Sequence, residues 1–245
     1  MGAVEWLLRA VNLRRVFVQG RRVVHALAGV SLAVAAGEFL VITGPSGCGK
    51  TTLLNILAGM DRPSAGEVVL GDVAYSTLSE DGLSALRRER LGYVFQFHNL
   101  LPHLTALENV ALPLRFRGWD PARARERARE VLEEVGLGAR LHHRPGQLSG
   151  GEQQRVAIAR AVAHDPDLVL ADEPTGNLDS RGAGLVADLF ARINRRGRTL
   201  IVVSHDGALV ERAGRVLAMR DGRVLSAGDG PAAGALVGGG GGERP

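Results

Sequence analysis

Short apolar runs alternate with amphipathic stretches along most of the chain. Buried strands of a parallel sheet read as nearly continuous apolar runs, whereas helices repeat apolar residues every three or four positions. Runs of the first kind occupy residues 39–42, 91–95, 168–171 and 199–203. Helical repeats follow or separate these runs, beginning with Leu53, Leu54, Ile56 and Leu57. The pattern therefore predicts an α/β fold whose core is a mostly parallel sheet.

Two regions depart from this alternation. Before residue 37, glycine-separated β-type runs predict an N-terminal antiparallel β subdomain with strands at 7–13, 16–18, 23–27 and 30–34. From residue 97 to about 165 the pattern is helical, and Asp120-Pro121 supplies an N-cap followed by a first-position proline, so we expect an inserted α-helical subdomain. We expect residues 1–230 to form one domain and the glycine-rich residues 231–245 to be a disordered tail.

A glycine-rich turn joins the first buried strand to the helix after it. The turn and the start of the helix comprise Gly44, Pro45, Ser46, Gly47, Cys48, Gly49, Lys50, Thr51 and Thr52. Such glycines let successive backbone N–H groups point inward, where the helix adds its positive N-terminal end. Lys50, the only lysine in the chain, can reach the β- and γ-phosphates, and the Thr51 hydroxyl can ligate Mg²⁺. This phosphate loop predicts a P-loop NTPase core that binds ATP or GTP.

Polar side chains follow three of the other buried runs. Gln96 follows the run at 91–95, Asp172 and Glu173 follow 168–171, and His205 comes shortly after 199–203. Ligands of open α/β sheets gather at the carboxyl ends of the strands. We therefore expect Asp172 in the Mg²⁺ shell, Glu173 as the base that orients or deprotonates water, and His205 near the γ-phosphate.

Two further candidates are ambiguous from the residues alone. Ser149, Gly150 and Gly151 open another helical repeat and form a second possible anion site, although a plain helix start is the default interpretation. Phe17 is one of few aromatic residues and could stack on adenine or lie in the core. Periodicity favours the core.

Composition narrows the class of partner and compartment. The net charge is only +4 and the basic residues are scattered among acids, so we expect no nucleic acid partner. No apolar stretch reaches the roughly 18 residues of a membrane span, and the N-terminus lacks the features of a secretory signal. With a single cysteine, Cys48, a reducing compartment is expected. These features favour a cytoplasmic protein.

The ordered set of motifs resembles the nucleotide-binding subunit of ATP-binding-cassette (ABC) transporters from about residue 7 to residue 227. The motifs are GPSGCGKT (44–51), Gln96, LSGGEQQR (148–155), LVLADEP (168–174), GNLD (176–179) and His205. The resemblance implies ATP and Mg²⁺ as ligands, with Phe17 stacked on adenine, Lys50 on phosphate, and Thr51, Gln96 and Asp172 around the metal. It also implies Glu173 as catalytic base, with Gln96 and His205 sensing the γ-phosphate.

The same resemblance implies two kinds of protein partner. In this family Ser149, Gly150 and Gly151 complete the site of the opposite subunit and Asp179 lies at the seam, so two chains enclose two ATP molecules head to tail. The homodimer drives an integral-membrane permease from the inner face of the cell membrane, where it is peripheral. We expect the apolar segment after Gln96 to dock the permease's cytoplasmic helix.

A finer resemblance, in residues 95–110 and 172–179, points to the lipoprotein-releasing and macrolide-exporting subfamily. Cell-division and amino-acid-uptake members share parts of it. Alternatives are a soluble cassette ATPase acting on nucleic acid or ribosomes, and a regulatory partner that rarely hydrolyses ATP. Cys48 stands where the family often has serine. Because it lies at a helix N-terminus near Lys50, we expect thiol alkylation to inactivate the ATPase and ATP to protect it.

Overall fold

The computed structural model describes residues 6–20 and 22–229, so the predicted tail at 231–245 lies outside the described residues. The strands are β1 (Trp6–Gln19), β2 (Arg22–Ala35), β3 (Phe39–Thr43), β4 (Ala65–Leu70), β5 (Val73–Ala74), β6 (Leu91–Val94), β7 (Leu168–Asp172), β8 (Thr199–Val203), β9 (Arg215–Arg220) and β10 (Arg223–Asp229). The α-helices are α1 (Lys50–Leu57), α2 (Glu80–Arg90), α3 (Ala106–Phe116), α4 (Pro121–Glu134), α5 (Gly150–Val162), α6 (Ser180–Arg195) and α7 (Gly207–Arg212).

The larger sheet has six strands in the order β10-β9-β3-β8-β7-β6. Every neighbouring pair from β9 to β6 is parallel, and only the β9–β10 hairpin is antiparallel. The predicted mostly parallel sheet is therefore confirmed. Because β3, β8, β7 and β6 run in the same direction, the residues that follow their carboxyl ends meet at one edge of the sheet.

Helices cover both faces of this sheet, and the alternation of side chains along its strands divides the core in two. In β3, Phe39 and Val41 belong to the apolar cluster that includes α3, α4, α5 and α6. Leu40 and Ile42 point the other way, into the cluster formed with α1 and the N-terminal strands. Strands buried on both faces need apolar residues at consecutive positions, which explains their continuous runs. No helix among the described residues is long and apolar enough to cross a membrane.

A smaller antiparallel sheet of order β2-β1-β4-β5 forms the N-terminal part of the fold. The four short strands expected there are instead two long ones, β1 and β2. Register shifts between Ala10 and Leu13 and between Arg15 and Val16 interrupt the alternation without ending the pairing. Such bulges add a residue to one strand, so they look like turns in the sequence although the ladder continues.

Helices α3, α4 and α5 lie between β6 and β7 in the chain, within the segment expected to be helical. As predicted, α4 begins at Pro121, and the Asp120 carboxylate accepts hydrogen bonds from the backbone N–H groups of Ala122 (2.9 Å) and Arg123 (3.2 Å).

Candidate functional site

A cleft of about 660 Å³ lies at the edge of the sheet where β3, β6, β7 and β8 end. It brings together most of the phosphate loop with the polar residues that follow the strands. Its lining residues are Val24, His25, Ala26, Gly44, Pro45, Ser46, Gly47, Gly49, Lys50, Thr51, Thr52, Gln96, Glu173, Gly176 and His205.

The phosphate loop requires glycine for both conformation and space. Gly44 and Gly49 have φ angles of 146° and 103°, which L-residues rarely adopt. A Cβ atom on Gly44 would stand 2.2 Å from the carbonyl oxygen of Met219, and one on Gly49 would stand 2.3 Å from that of Ala26. The loop is therefore clamped between β2 and β9, and its shape depends on backbone contacts as well as on its own sequence.

The ammonium group of Lys50 lies at the first turn of α1. Its Nζ atom donates hydrogen bonds to the carbonyl oxygens of Gly44 (2.8 Å) and Pro45 (3.1 Å). The residue is only 9% exposed, so these bonds offset the cost of burying its charge. A polyphosphate in the cleft can replace those carbonyl oxygens as the acceptor.

Thr51 and Asp172 form an oxygen pair beside Lys50. The Thr51 hydroxyl donates to Asp172 Oδ1 at 3.2 Å, and Asp172 is buried although it does not line the cleft itself. Burial raises the pKa of Asp172 and the charge of Glu173 adds to this, while the Thr51 hydrogen bond and Lys50 oppose it. Hydroxyl and carboxylate oxygens are ligands that Mg²⁺ prefers, so the donor set fits this ion.

Glu173 occupies a backbone conformation that is unusual for its residue type. Its φ angle is 42°, and its N–H donates to the carbonyl oxygen of Val203 at 2.9 Å, which ties the end of β7 to β8. His205 Nδ1 lies 3.3 Å from Oε1 and 3.1 Å from Oε2 of Glu173, with hydrogen-bond geometry only towards Oε1. Oε2 is buried and accepts no hydrogen bond in the described part of the chain, so His205 is the neighbour that orients this carboxylate.

Ser149, Gly150, Asn177 and Asp179 do not line the cleft. The Ser149 hydroxyl accepts from the N–H of Glu152 at 3.2 Å, and the Glu152 carboxylate accepts from the N–H of Ser149 at 2.8 Å, so α5 begins with a capping box. Ser149 and Gly150 are exposed. Asp179 caps α6 through a 2.7 Å bond from the N–H of Gly182. Asn177 of the same loop donates to the Gln96 carbonyl oxygen at 3.4 Å.

The phosphate loop, Gln96 and the motifs at 148–155 and 168–174 fall within one family match. The profile of the family described as "ABC transporter" matches residues 27–176.

The chain belongs to the ABC transporter family. An uncharacterized ABC transporter ATP-binding protein of Thermotoga maritima is 48% identical to it over 215 residues, 88% of this chain and 92% of that protein. The lipoprotein-releasing system ATP-binding protein LolD of Legionella pneumophila is 48% identical over 216 residues, 88% and 95% of the two chains. Among solved structures, the dimeric ATP-binding cassette MJ0796 bound to ADP and Pi matches with a TM-score of 0.85 at 40% identity, covering 91% and 98%.

Membership decides between the two nucleotides that the phosphate loop alone leaves open. The chain is an ATP-binding, ATP-hydrolysing subunit of an ABC transporter, and its fold is that of the ATP-binding cassette. The predicted family, fold class and ATPase activity are thereby confirmed.

The structure contradicts one expectation about a side chain of this cassette, the burial of Phe17, and it removes the accessible thiol that the alkylation prediction for Cys48 assumes. Phe17 is not a core residue, because it is 36% exposed on β1 and the guanidinium of Arg15 covers its ring at 4.6 Å from the centroid. It pairs with Val24, which lines the cleft, so it stands one strand away from the lining residues. Cys48 does not face the cleft, because its side chain is 5% exposed and packs in the apolar cluster beneath the loop.

Sequence reasoning missed one wall of the cleft. Val24, His25 and Ala26 of β2 line it, although they carry no motif. The one available signal is Gly49, whose missing side chain makes room for the Ala26 carbonyl oxygen. That signal can be interpreted only when the contact between the phosphate loop and β2 is already known.

Proposed function

We propose that two copies of this chain enclose two Mg²⁺-ATP molecules head to tail and drive an integral-membrane permease of the lipoprotein-releasing or macrolide-exporting type. The chain is then a peripheral protein on the inner face of the cell membrane. The name LolD belongs to relatives 48% identical to it, and dimeric cassettes are among the similar solved structures. Both support the proposal.

The main support for the dimer is that the Ser149 turn does not line the cleft of its own chain. Ser149 and Gly150 open α5 with exposed positions, and the first N–H groups of a helix have no acceptor within it. These donors can bind an anion, yet they do not line the cleft of their own chain. A second copy related by a twofold axis supplies its Ser149 turn to the first and receives the same in return.

Within each site, each residue has a role that follows from its chemistry. The phosphate loop and Lys50 hold the phosphates, Phe17 stacks on adenine, and Thr51, Asp172 and Gln96 hold Mg²⁺. Mg²⁺ held by these residues would supply positive charge that offsets the negative charge of the phosphates during hydrolysis. Burial raises the pKa of Asp172 because it disfavours the charged carboxylate, and a bound cation would offset that cost.

Glu173 takes the role of base and His205 supports it. Glu173 lines the cleft, and its carboxylate can accept a proton or a hydrogen bond from the attacking water. His205 is well exposed and holds one oxygen of this carboxylate, so it can turn towards the γ-phosphate. Asp179 fixes the start of α6 at the dimer seam.

The permease's cytoplasmic helix docks in a groove that Tyr93 and Phe116 line. This groove has a volume of about 380 Å³ and is formed by α2, β6, α3 and α5. Phe97 and Phe116 expose 72% and 67% of their surface nearby. A helix seated there touches β6, the strand that precedes Gln96, so its motion can reach the ATP site.

The experiment measures the ATP-dependent dimerisation of the Glu173→Gln variant by size-exclusion chromatography with and without Mg²⁺-ATP. Loss of the base should lower kcat about 100-fold or more while binding persists, so the dimer accumulates. Glu89→Gln, an exposed position on α2, is the matched control and should behave as the unmodified chain. A Glu173→Gln chain that hydrolyses ATP at the normal rate would contradict the assignment of the base.

A further inference from the structure

The chain has only two tyrosines, and both hydroxyl groups bind the phosphate-loop helix α1. Tyr93, on β6, donates to Asn55 Oδ1 at 3.0 Å. Tyr75, which follows β5, donates to the carbonyl oxygen of Leu57 at 3.0 Å. Leu57 is the last residue of α1, so Tyr75 holds the end that is remote from the phosphate loop. Tyr93 binds the same half of the helix, two residues before Leu57, but it does so from β6.

The surroundings of Tyr93 connect it to two parts of the ATP site. Asn55 is five residues after Lys50, about 7.5 Å along a helix that rises 1.5 Å per residue. Tyr93 also pairs with Leu170 across β6 and β7, two residues before Asp172. Its own strand leads directly to Gln96, and its ring lies against Phe95 with centroids 4.5 Å apart. One side chain therefore joins the strand of Gln96 to the helix of Lys50 and Thr51.

We propose that Tyr93 and Asn55 are positioning residues that keep α1 in register with β6, so that Lys50 and Thr51 face Gln96 at the correct separation. This proposal rests on the roles proposed above for those three residues. Neither Tyr93 nor Asn55 lines the nucleotide cleft, so neither touches the substrate. Tyr93 does line the groove proposed above as the docking site of the permease. An occupant of that groove therefore contacts a side chain whose hydroxyl group is bonded to the phosphate-loop helix.

A positioning role differs from a purely structural one in what it changes. A hydrogen bond that only stabilises the fold alters the fraction of folded protein, and the folded molecules keep their kcat. Displacement of catalytic groups by a fraction of an ångström lowers kcat strongly even when the fold is intact. The two tyrosines allow this comparison within one helix, because each forms one bond of the same length to α1.

The test compares Tyr93→Phe with the matched control Tyr75→Phe, each in the full chain. We measure kcat per ATP-binding molecule, the KM for ATP, the Mg²⁺ concentration for half-maximal activity and the melting temperature. Tyr93→Phe should lower kcat about tenfold and raise the Mg²⁺ requirement, with little change in KM. Tyr75→Phe should lower the melting temperature and leave the three kinetic quantities unchanged. Equal kinetic values for the two variants would overturn the proposal.

A second pair of variants separates stability from register. Tyr93→Phe alone leaves Asn55 Oδ1 without its donor, whereas adding Asn55→Leu removes both polar partners and should recover stability. If register matters, the double variant regains its melting temperature but keeps the low kcat. Recovery of kcat together with stability would show a structural role only. The Glu173→Gln result identifies a failure of the proposed function itself, since it does not depend on Tyr93.

Discussion

At the scale of single residues, the surroundings decide the role of a side chain more than its type does. Cys48 stands beside Lys50 in the loop, and residue type alone suggests a reactive thiol at a helix N-terminus. Its side chain is buried, however, and belongs to the apolar cluster beneath the loop. The Cys48 carbonyl oxygen, in contrast, accepts a hydrogen bond from the N–H of Gly222 at 3.0 Å. The residue contributes through its backbone and its packing.

We therefore expect the Cys48 thiol to react slowly in the folded protein. The rate of reaction with an aromatic disulfide reagent should rise at least about tenfold when the chain is unfolded in urea, because the reagent needs an exposed sulfur. Cys48→Ala with Ser46→Cys moves the thiol to an exposed position in the cleft lining. That variant should react fast, and ATP should protect it. Equal rates for folded and unfolded wild-type protein would contradict the burial argument.

At the scale of elements, the structure agrees with the sequence wherever local signals are strong. The apolar runs at β3, β7 and β8, the cap at Asp120 and the hairpin turn at Asp221 are each visible in the residues and present in the fold. Helix α2 is the counterexample, since only Leu83 and Leu86 of its residues are buried. Its signal is electrostatic, with acids in the first turn, arginines in the last, and the Ser79 hydroxyl as cap. Apolar periodicity cannot detect such a helix.

Bulges explain the other failure at this scale. Asn12, with a φ angle of 49°, interrupts the alternation of β1, and the sequence shows a break where the ladder merely shifts. The pairing partners of β1 are β2 and β4, and β4 is distant in the chain. Nothing local in residues 6–19 specifies those partners, so strand length here is decided by tertiary contacts.

The start of α5 provides a prediction at this scale. Glu152 accepts from the N–H of Ser149 and pairs with Arg140 at 3.2 Å. Glu152→Ala should cost about 1 kcal/mol of stability, since it removes the reciprocal half of the capping box. Glu152→Gln is the matched control: it keeps that half and loses only the ion pair, and should cost less than about 1 kcal/mol. Urea unfolding at neutral pH measures both.

The pH dependence of this effect has a definite sign. The backbone hydrogen bond from Ser149 is the main reason that the pKa of Glu152 lies below its ordinary value. A carboxyl group with a lowered pKa stabilises the fold above its unfolded pKa, and this contribution is lost as the pH falls through the folded value. The stability difference between wild type and Glu152→Ala should therefore shrink in acid. A difference that stays constant down to acidic pH would exclude ionised Glu152 as the capping group.

At the scale of the whole molecule, the sequence predicts the site only as far as it predicts the order and direction of the strands. Parallel strands place Gln96, Asp172, Glu173 and His205 at one edge, and the sequence suffices to find them there. The β2 wall of the cleft depends on how two sheets pack, which no motif records. The role of the Ser149 turn depends on how two chains assemble, because the turn does not line the cleft of its own chain.

That last dependence is tested by mixing two inactive variants. Lys50→Ala removes the phosphate contact of its own chain, and Ser149→Arg places a bulky cation at the turn offered to the partner. In a mixed dimer, the intact phosphate loop of one chain meets the intact Ser149 turn of the other, so one of the two sites is restored. With equal amounts and random pairing, half of the dimers are mixed, and about a quarter of the wild-type ATPase activity should return if the sites act independently.

The control places both substitutions in one chain and mixes it with the Lys50→Ala chain, which restores no site and should recover no activity. Differently tagged chains and a pull-down with Mg²⁺-ATP report mixed dimers separately from hydrolysis. Mixed dimers without activity would mean that both sites must be intact for turnover. The absence of mixed dimers, with ATP still bound by the Ser149→Arg chain, would instead refute the shared site. A site completed in this way exists only while two chains hold nucleotide between them, so hydrolysis can be converted into their separation.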